Sequence, residues 1–429
     1  MFQTLRNAWK VDDLRRKILF TLFIVLLFRI GHAVPVPYVN VEMLRQYMDS
    51  MKNTFFGLMD VMSGGAFSNA TIFALSIQPY INASIIIQLL TIAIPALERL
   101  SKEGGEEGRK KIASITRYAT VAIGLLQGFG YYMLMKNNGS YSIIRPEVAD
   151  SVWAAIVIIF TFTSGSALVM WLGEQITEHG IGNGISIILF AGIISRFPNA
   201  IGSTFTSIAS GDLRWWVALL MYLGALLMII LIVFVNDAER RIPVQYAKRV
   251  VGRKKYGGQS THLPMKVNMS GVMPIIFAQT LGTLPATIAM FMGKTDGWAA
   301  NWTNSLVYAL VYLLLIVFFA YFYSTIQFNP VEVSNNLKKN GGYIPGFRPG
   351  KPTSEFIQKV LNKITLFGAI YLGIIAIVPI LISHFSKSAA LTGLSIGGTS
   401  IIIVVGVALE TFRAIEAQLL MRNYKGFLS

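Results

Sequence analysis

Ten apolar runs, each near the ~20 residues a helix needs to cross ~30 Å of hydrocarbon, set the terms on which this chain can fold. They lie near residues 18–37, 72–95, 112–135, 151–173, 183–198, 214–236, 270–292, 304–328, 360–384 and 395–420. The fifth is short and opens on glycines. Of 429 residues, 54% are hydrophobic and only 14% are charged, where a soluble protein carries about 25% charged residues. An all-α integral membrane protein with ten transmembrane helices is therefore expected. The N-terminal stretch MFQTLRNAWKVDDLRRK is polar for too long, and lacks a small-residue cleavage site, to be a removable signal peptide. The first apolar run is thus expected to be retained.

The formal charge of +16 is largely a matter of orientation. With the N-terminus in the cytoplasm, 25 of the 37 lysines and arginines fall on the inner side and 8 on the outer. That asymmetry predicts both termini inside. Two inner loops, near 237–269 and 329–359, are longer than the ~2–8 residues usual between bundled helices. Long basic loops suggest a docking surface for an acidic partner, and the basic inner face also suits anionic lipids.

Several functions are excluded by what the chain lacks. It has no cysteine, so disulfides, thiolate nucleophiles and cysteine metal sites are ruled out. His32, His179, His262 and His384 make no metal-ligand spacing. The GIGNG at 180–184 follows a membrane helix instead of a strand, and SKEGGEEGRKK lacks the Gly-Lys-Ser/Thr of a nucleotide loop. No Ser/His/Asp set or carboxylate pair is legible. Neither catalysis, nor a cofactor, nor a nucleic-acid substrate is expected.

The two halves of the chain echo one another. The second span contains QPYI, with Pro79 two residues before Ile81, and the seventh contains MPII, with Pro274 two residues before Ile276. The fifth opens GIGNGISIILF and the tenth IGGTSIIIVV. An odd number of spans per half would invert 201–429 relative to 1–200 and build a functional centre between them. Proline and glycine are frequent in membrane helices, so the recurrence alone does not decide between symmetry and chance. Ile81 and Ile85 share a helical face, as do Ile185 and Leu189. Such faces meet neighbouring helices or lipid in any membrane protein; together with the repeat they permit an apolar constriction that gates by dewetting. Ionisable residues deep in the spans, the mark of solute or proton coupling, are nearly absent. Arg29 is the one basic residue well inside a span, where it snorkels or pairs. A small-solute secondary transporter with inverted repeats is the alternative reading.

The motifs FRIG (28–31), SGGA (63–66), PYINASIIIQLL (79–90) and WLGEQITEHGIGNGISII (171–188) resemble those of the bacterial SecY family of protein-secretion channels. So do ERRIPVQYAKR (239–249), QSTHLPMKVNMSGVMP (259–274), NGGYIPGFRPGKPT (340–353) and GGTSIIIVV (397–405), and the likeness covers essentially the whole chain. It implies two inverted five-helix halves around an hourglass pore in the bacterial cell membrane. The pore conducts unfolded secretory chains and releases transmembrane segments sideways into lipid. The implied waist is Ile81, Ile85, Ile185, Leu189, Ile276 and Ile403, with leucine at 189 where the family commonly has isoleucine. The implied lateral gate, where signal sequences leave, involves Ser84, Ile87, Gln88 and Gln279; the two glutamines are our own candidates for hydrogen bonds across that seam. Arg241, Lys248, Arg249, Arg348 and Lys351 fall on the surfaces that dock the motor ATPase SecA, or the ribosome with its nascent chain. SecE and SecG are the implied small partner subunits.

One segment fits neither a span nor a soluble loop. Residues 62–73, MSGGAFSNATIF, are half-apolar and broken by Gly64 and Gly65, each weakening a helix by ~1 kcal/mol relative to alanine. In the family this is the plug, a short helix that stops the outer funnel. The expected extent is 55–69, hinged at 69–71, with Phe56, Leu58, Met59, Met62, Gly64, Gly65 and Phe67 as its substance. A weakly held segment is expected, displaced at small cost by a passing chain.

Overall fold

The computed structural model describes residues 2–50, 55–137, 142–211, 213–246, 249–251, 254–256, 260–269, 271–291, 298, 302–385 and 397–425. The described chain is predominantly helical and falls into two compact units. One comprises residues 1–218, 283–305 and 382–429; the other comprises 219–282 and 306–381.

In the first unit α1 (Phe2–Lys10) and α2 (Asp12–Gly31) lead to two short helices, α3 (Val41–Ser50) and α4 (Phe55–Met62). Then come α5 (Gln78–Ala93), α6 (Pro95–Lys102), α7 (Gly105–Lys136), α8 (Val152–His179), α9 (Gly184–Ile194) and α10 (Phe197–Ala209). Helix α7 packs on α5 and α8, α8 on α2 and α9, and α4 on α9. Proline sets two of the breaks. Before Pro95 the backbone of Ile94 is extended (φ −107°, ψ 112°), and α6 leaves α5 at 104°. The expected seventh span is likewise not one helix: it divides into α12 (Met273–Gly282) and α13 (Leu284–Phe291). Pro285 lacks the N–H that would continue the first helix into the second.

Helix α11 (Trp215–Asp237) is apolar all round, with a mean hydropathy of 3.0 and only 11% of its core window buried. A surface of that kind is stable in hydrocarbon. Among the described residues, five helical stretches are long and apolar enough to cross a membrane, six if the bent α5–α6 pair is counted. The protein is a multi-pass membrane protein.

In the second unit the two long loops are structured together. Residues 239–266 form β1 (Glu239–Tyr246), β2 (Arg249–Val251), β3 (Lys254–Tyr256) and β4 (Ser260–Lys266). After α14 (Leu306–Gln327), the second loop contributes α15 (Pro330–Lys339) and β5 (Gly342–Tyr343). Helix α16 (Lys351–Phe385) then begins well before the expected span. The first unit closes with α17 (Gly397–Lys425). Strand β1 runs antiparallel between β4 and β5, so both loops belong to one three-stranded sheet. Its buried face carries Ile242, Val244 and Met265 from the first loop, packed with Leu337, Ile344, Ile357 and Leu361 from the second. Pro243 and Pro264 disguise these strands in sequence. Pro243 is tolerated because β5 pairs only with Gln245 and Tyr246, which leaves β1 an open edge at that point.

Because the loops share one core, a cavity in either should loosen both. Ile357→Ala, at a fully buried site, is expected to cost about 2–5 kcal/mol. Hydrogen exchange should then rise together in 239–246, 260–266 and 342–344; a rise confined to α16 would refute the shared core.

Candidate functional site

The non-helical segment after α4 is the most elaborately built place in the first unit. Helix α4 ends where Gly64 (φ 68°) and Gly65 (φ 91°) turn left-handed. That conformation costs glycine little, and Gly65 N–H reaches the carbonyl of Asp60 at 2.9 Å. The glycines therefore end the helix and make its turn. They also admit a neighbour: a Cβ on Gly64 would lie 2.7 Å from the carbonyl oxygen of Gly192 on α9, and one on Gly192 3.0 Å from that of Met62. Two backbones touch here.

Side chains from several other elements hold the segment, among them Arg45 of α3, which donates from Nε to Asn69 Oδ1 at 2.6 Å. His32, at the end of α2, places Nε2 2.7 Å from the carbonyl of Ser63 and Nδ1 2.8 Å from that of Phe28, and the ring nitrogen that carries the proton donates to the carbonyl it faces. Gln78, opening α5, donates to the sulfur of Met62 at 3.2 Å. Tyr131 on α7 donates its hydroxyl to the carbonyl of Phe67 and stacks on that ring, centroids 4.2 Å apart. Arg196, between α9 and α10, pairs with Asp60. Farther on, Val36 N–H bonds Ala70 O at 2.8 Å and Ile72 N–H bonds Val34 O at 3.0 Å, which anchors the chain at 70–72. The hold is thus polar and specific. Met59 and Phe67 join the buried core with Tyr131 and Phe162, and Met62 is 5% exposed. The side chains of Phe56 and Leu58 lie outside the described residues.

The segment meets two of the helices that carry the expected waist. On α5 it touches Gln78, one turn before Ile81; on α9 it touches Gly192, one turn after Leu189. Ile81, Ile85 and Leu189 are buried, as is Ile403 on α17, which packs on α9. Ile185 is partly buried, and a Cβ on Gly173 of α8 would stand 3.4 Å from its Cγ1. The GIGNG sequence opens α9: Asn183 accepts from the N–H groups of Ile185 and Ser186 at 3.1 and 3.4 Å. Gly184 is obligatory, since a Cβ there would fall 1.9 Å from the carbonyl oxygen of Gly173. Ile276 lies buried on α12, in the second unit.

Of the expected gate residues, Ser84 is partly buried, Ile87 buried and Gln88 exposed, all on α5; Gln279 is buried on α12. Of the docking residues, Arg241 projects from β1 and pairs with Glu239 at 2.6 Å. Arg348 is exposed in the turn before α16, and its carbonyl accepts from Thr353 Oγ1 at 2.8 Å. Lys351 is exposed at the first position of α16. Arg249 lies on β2, its side chain outside the described residues, and Lys248 falls outside them altogether.

A family model described as SecY matches residues 71–412, most of the chain, beginning just past the segment held by Asp60 and Phe67. The chain belongs to the SecY family. A protein translocase subunit SecY from Streptomyces scabiei is 46% identical over 445 residues, covering 100% of both chains. In fold, this SecY-family chain is similar to a structure described as a protein conducting channel (TM-score 0.67, 17% identity, 94% of this chain and 92% of that one). It is also similar to one in which the plug domain of the SecY protein is described as stabilizing the closed state of the translocation channel (TM-score 0.65, 19% identity, the same coverage).

Sequence reasoning missed Asp60, Arg196, His32 and Tyr131. Asp60 had a signal, as the one acid in FFGLMDVM; the others looked like ordinary span-end residues. Tyr131→Phe keeps the ring stack and removes only the hydroxyl donor. The Phe67 carbonyl keeps its bond from Ala70 N–H at 3.1 Å, so losing the second donor should cost about 0.5–1.5 kcal/mol, read as a lowered melting temperature in detergent; an unchanged melt would show that the bond contributes nothing.

Proposed function

We propose that this chain is the pore-forming subunit of a bacterial protein translocase, passing unfolded polypeptides across the cell membrane and releasing transmembrane segments sideways into it. The observation that carries the reading is the placement of the segment after α4. A shaped, non-helical stopper lies against α5 and α9, one turn from Ile81 and one turn from Leu189. A stopper beside apolar side chains suits a permeant of varied chemistry. Ten crossings in two inverted halves, 1–200 and 201–429, with both termini cytoplasmic, complete the proposed arrangement. In it Ile81, Ile85, Ile185, Leu189, Ile276 and Ile403 form the waist, residues 55–69 the plug, and Ser84, Ile87, Gln88 and Gln279 part of the lateral gate.

The joined basic loops give the proposal its partners. SecA or a ribosome would engage the surface of Arg241, Arg249, Arg348 and Lys351, where guanidinium groups offer bidentate contacts to carboxylate or phosphate. SecE and SecG are the proposed companion subunits. The chain itself hydrolyses nothing in this reading. A small-solute transporter is less well supported: Glu174, an acid within α8, is engaged by Arg117 at 2.9 Å, and the joined loops have no task in such a protein.

A photocrosslinker at Ile81, Ile276 or Ile403 in reconstituted membranes should capture a stalled secretory chain. Solute uptake without any crosslink would sink the channel reading. Arg348→Glu should abolish motor-driven export while leaving hydrogen exchange in the sheet unchanged; unaltered export would remove the motor from this surface. Glycine at the waist positions should make the resting membrane leak ions, and tight gating in those variants would count against the ring.

A further inference from the structure

We infer that Asp60 and Arg196 form the latch that keeps the stopper seated, and that their charges, more than their bulk, do the holding. The inference rests on the channel reading above.

The segment 59–69 is first of all bonded to itself. The carbonyl of Asp60 accepts from Gly65 N–H at 2.9 Å and from Ser63 Oγ at 3.1 Å. Asp60 Oδ1 accepts from Ser68 N–H, and Gly65 O from Asn69 Nδ2, each at 2.7 Å. None of these bonds has to break if the segment moves as a body. Among the described residues, the charge-to-charge bond that leaves it is the one from Arg196 Nη2 to the other carboxylate oxygen, Oδ2. The two side chains are 11% and 33% exposed, so their attraction is screened less than that of a surface pair.

The surroundings are shaped for this bond. A Cβ on Gly65 would stand 3.1 Å from Arg196 Nη2 and 3.4 Å from Nε, so the guanidinium lies across the glycine turn. Arg196 sits in the short link between α9 and α10, one turn beyond Gly192 and two beyond Leu189. A displacement of α9 that moved Leu189 would therefore also move the partner of Asp60.

Charge also makes a latch easier to leave than an apolar seat. Burying a carboxylate is unfavourable without a partner, which makes an acid in FFGLMDVM a poor choice for a permanently packed helix. Seated, the acid is paired. Released into a wet pore, both ions regain their hydration, which offsets much of the lost attraction. An equally tight apolar seat would have no such return on leaving.

The chain has no cysteine, so a single Val61→Cys in the full chain, reconstituted into liposomes, reports on seating. Its labelling rate with a membrane-impermeant maleimide is the measurement. Asp60→Asn and Arg196→Gln should each speed labelling about tenfold, the equivalent of ~1.4 kcal/mol. The double variant should go no faster than either single one. Arg196→Lys, which keeps the charge, should stay near the parent rate. Unchanged rates in the single variants, or additive effects in the double, would overturn the latch. So would equal acceleration by Arg196→Lys and Arg196→Gln, which would assign Arg196 a packing role. Passage of a secretory polypeptide through the parent separates this from the channel reading. No passage with an intact double-variant pattern sinks the channel alone; passage with flat labelling rates sinks the latch alone.

Discussion

Hydrocarbon offers no hydrogen bonds, so non-helical backbone survives at membrane depth only where protein supplies every partner. Residues 63–77 meet much of that demand within the protein. Their N–H groups turn back on nearby carbonyls, Ala74 to Thr71 at 2.9 Å and Ser76 to Phe73 at 2.8 Å. Neighbours add to the local turns: Ser166 of α8 donates to the carbonyl of Ser76 at 3.1 Å, and Tyr131 of α7 joins Ala70 N–H in donating to that of Phe67. The positions of α2, α7, α8 and α9 are thus tied to the segment as much as it is to them. Ala70 and Ser76 hold left-handed φ angles of 42° and 49°, which non-glycine residues adopt only when their surroundings impose them.

Close approach needs small residues, because lipid tails exert no hydrophobic force between helices. Glycine recurs where a Cβ would collide with what lies opposite. On Gly165 of α8 it would fall 1.8 Å from the carbonyl oxygen of Ile72, and on Gly31 of α2 1.9 Å from the ring of Phe73. The contact between Gly184 and Gly173 fixes α9 against α8 by the same means. Ile185 and Leu189 on α9 are therefore positioned by backbone contact, and their apolar side chains remain free to be chosen for another purpose.

The longest apolar runs, such as those of α8, α11, α14 and α16, were legible because a helix crossing hydrocarbon has no other way to satisfy its backbone, whereas the expected run at 72–95 is helical only from Gln78. Other features had no local signal. Pro243 and Pro264 argued against strands, yet an open edge beside β1 makes room for the first of them. The joining of the two long loops depends on Ile344 and Ile357 packing with Ile242 and Val244, contacts about a hundred residues apart in sequence. Arg196 looked like one of a few outward charges, and only the fold brings it to Asp60. Sequence patterning reports burial along one helix; it does not report which charge a distant helix offers.

The joined loops also bear on how a partner's work could reach the membrane. Gly346 and Gly350 turn with φ of 86° and 104°, Phe347 stacks on Phe356 with centroids 4.2 Å apart, and Ser334 of α15 donates to the carbonyl of Gly350 at 2.7 Å. The turn that presents Arg348 is therefore rigid, and binding there costs little ordering entropy. It runs directly into α16, which continues without a break from Lys351 to Phe385 and includes an apolar stretch able to span a bilayer. A partner at Arg348, as proposed, would hold one end of a long helix that carries such an apolar stretch. Displacement of that helix must also strain the sheet, because Ile357 and Leu361 on α16 are packed beneath β1 and β4. In the proposed arrangement, docking at Arg348 and movement of α16 would be two ends of one mechanical element.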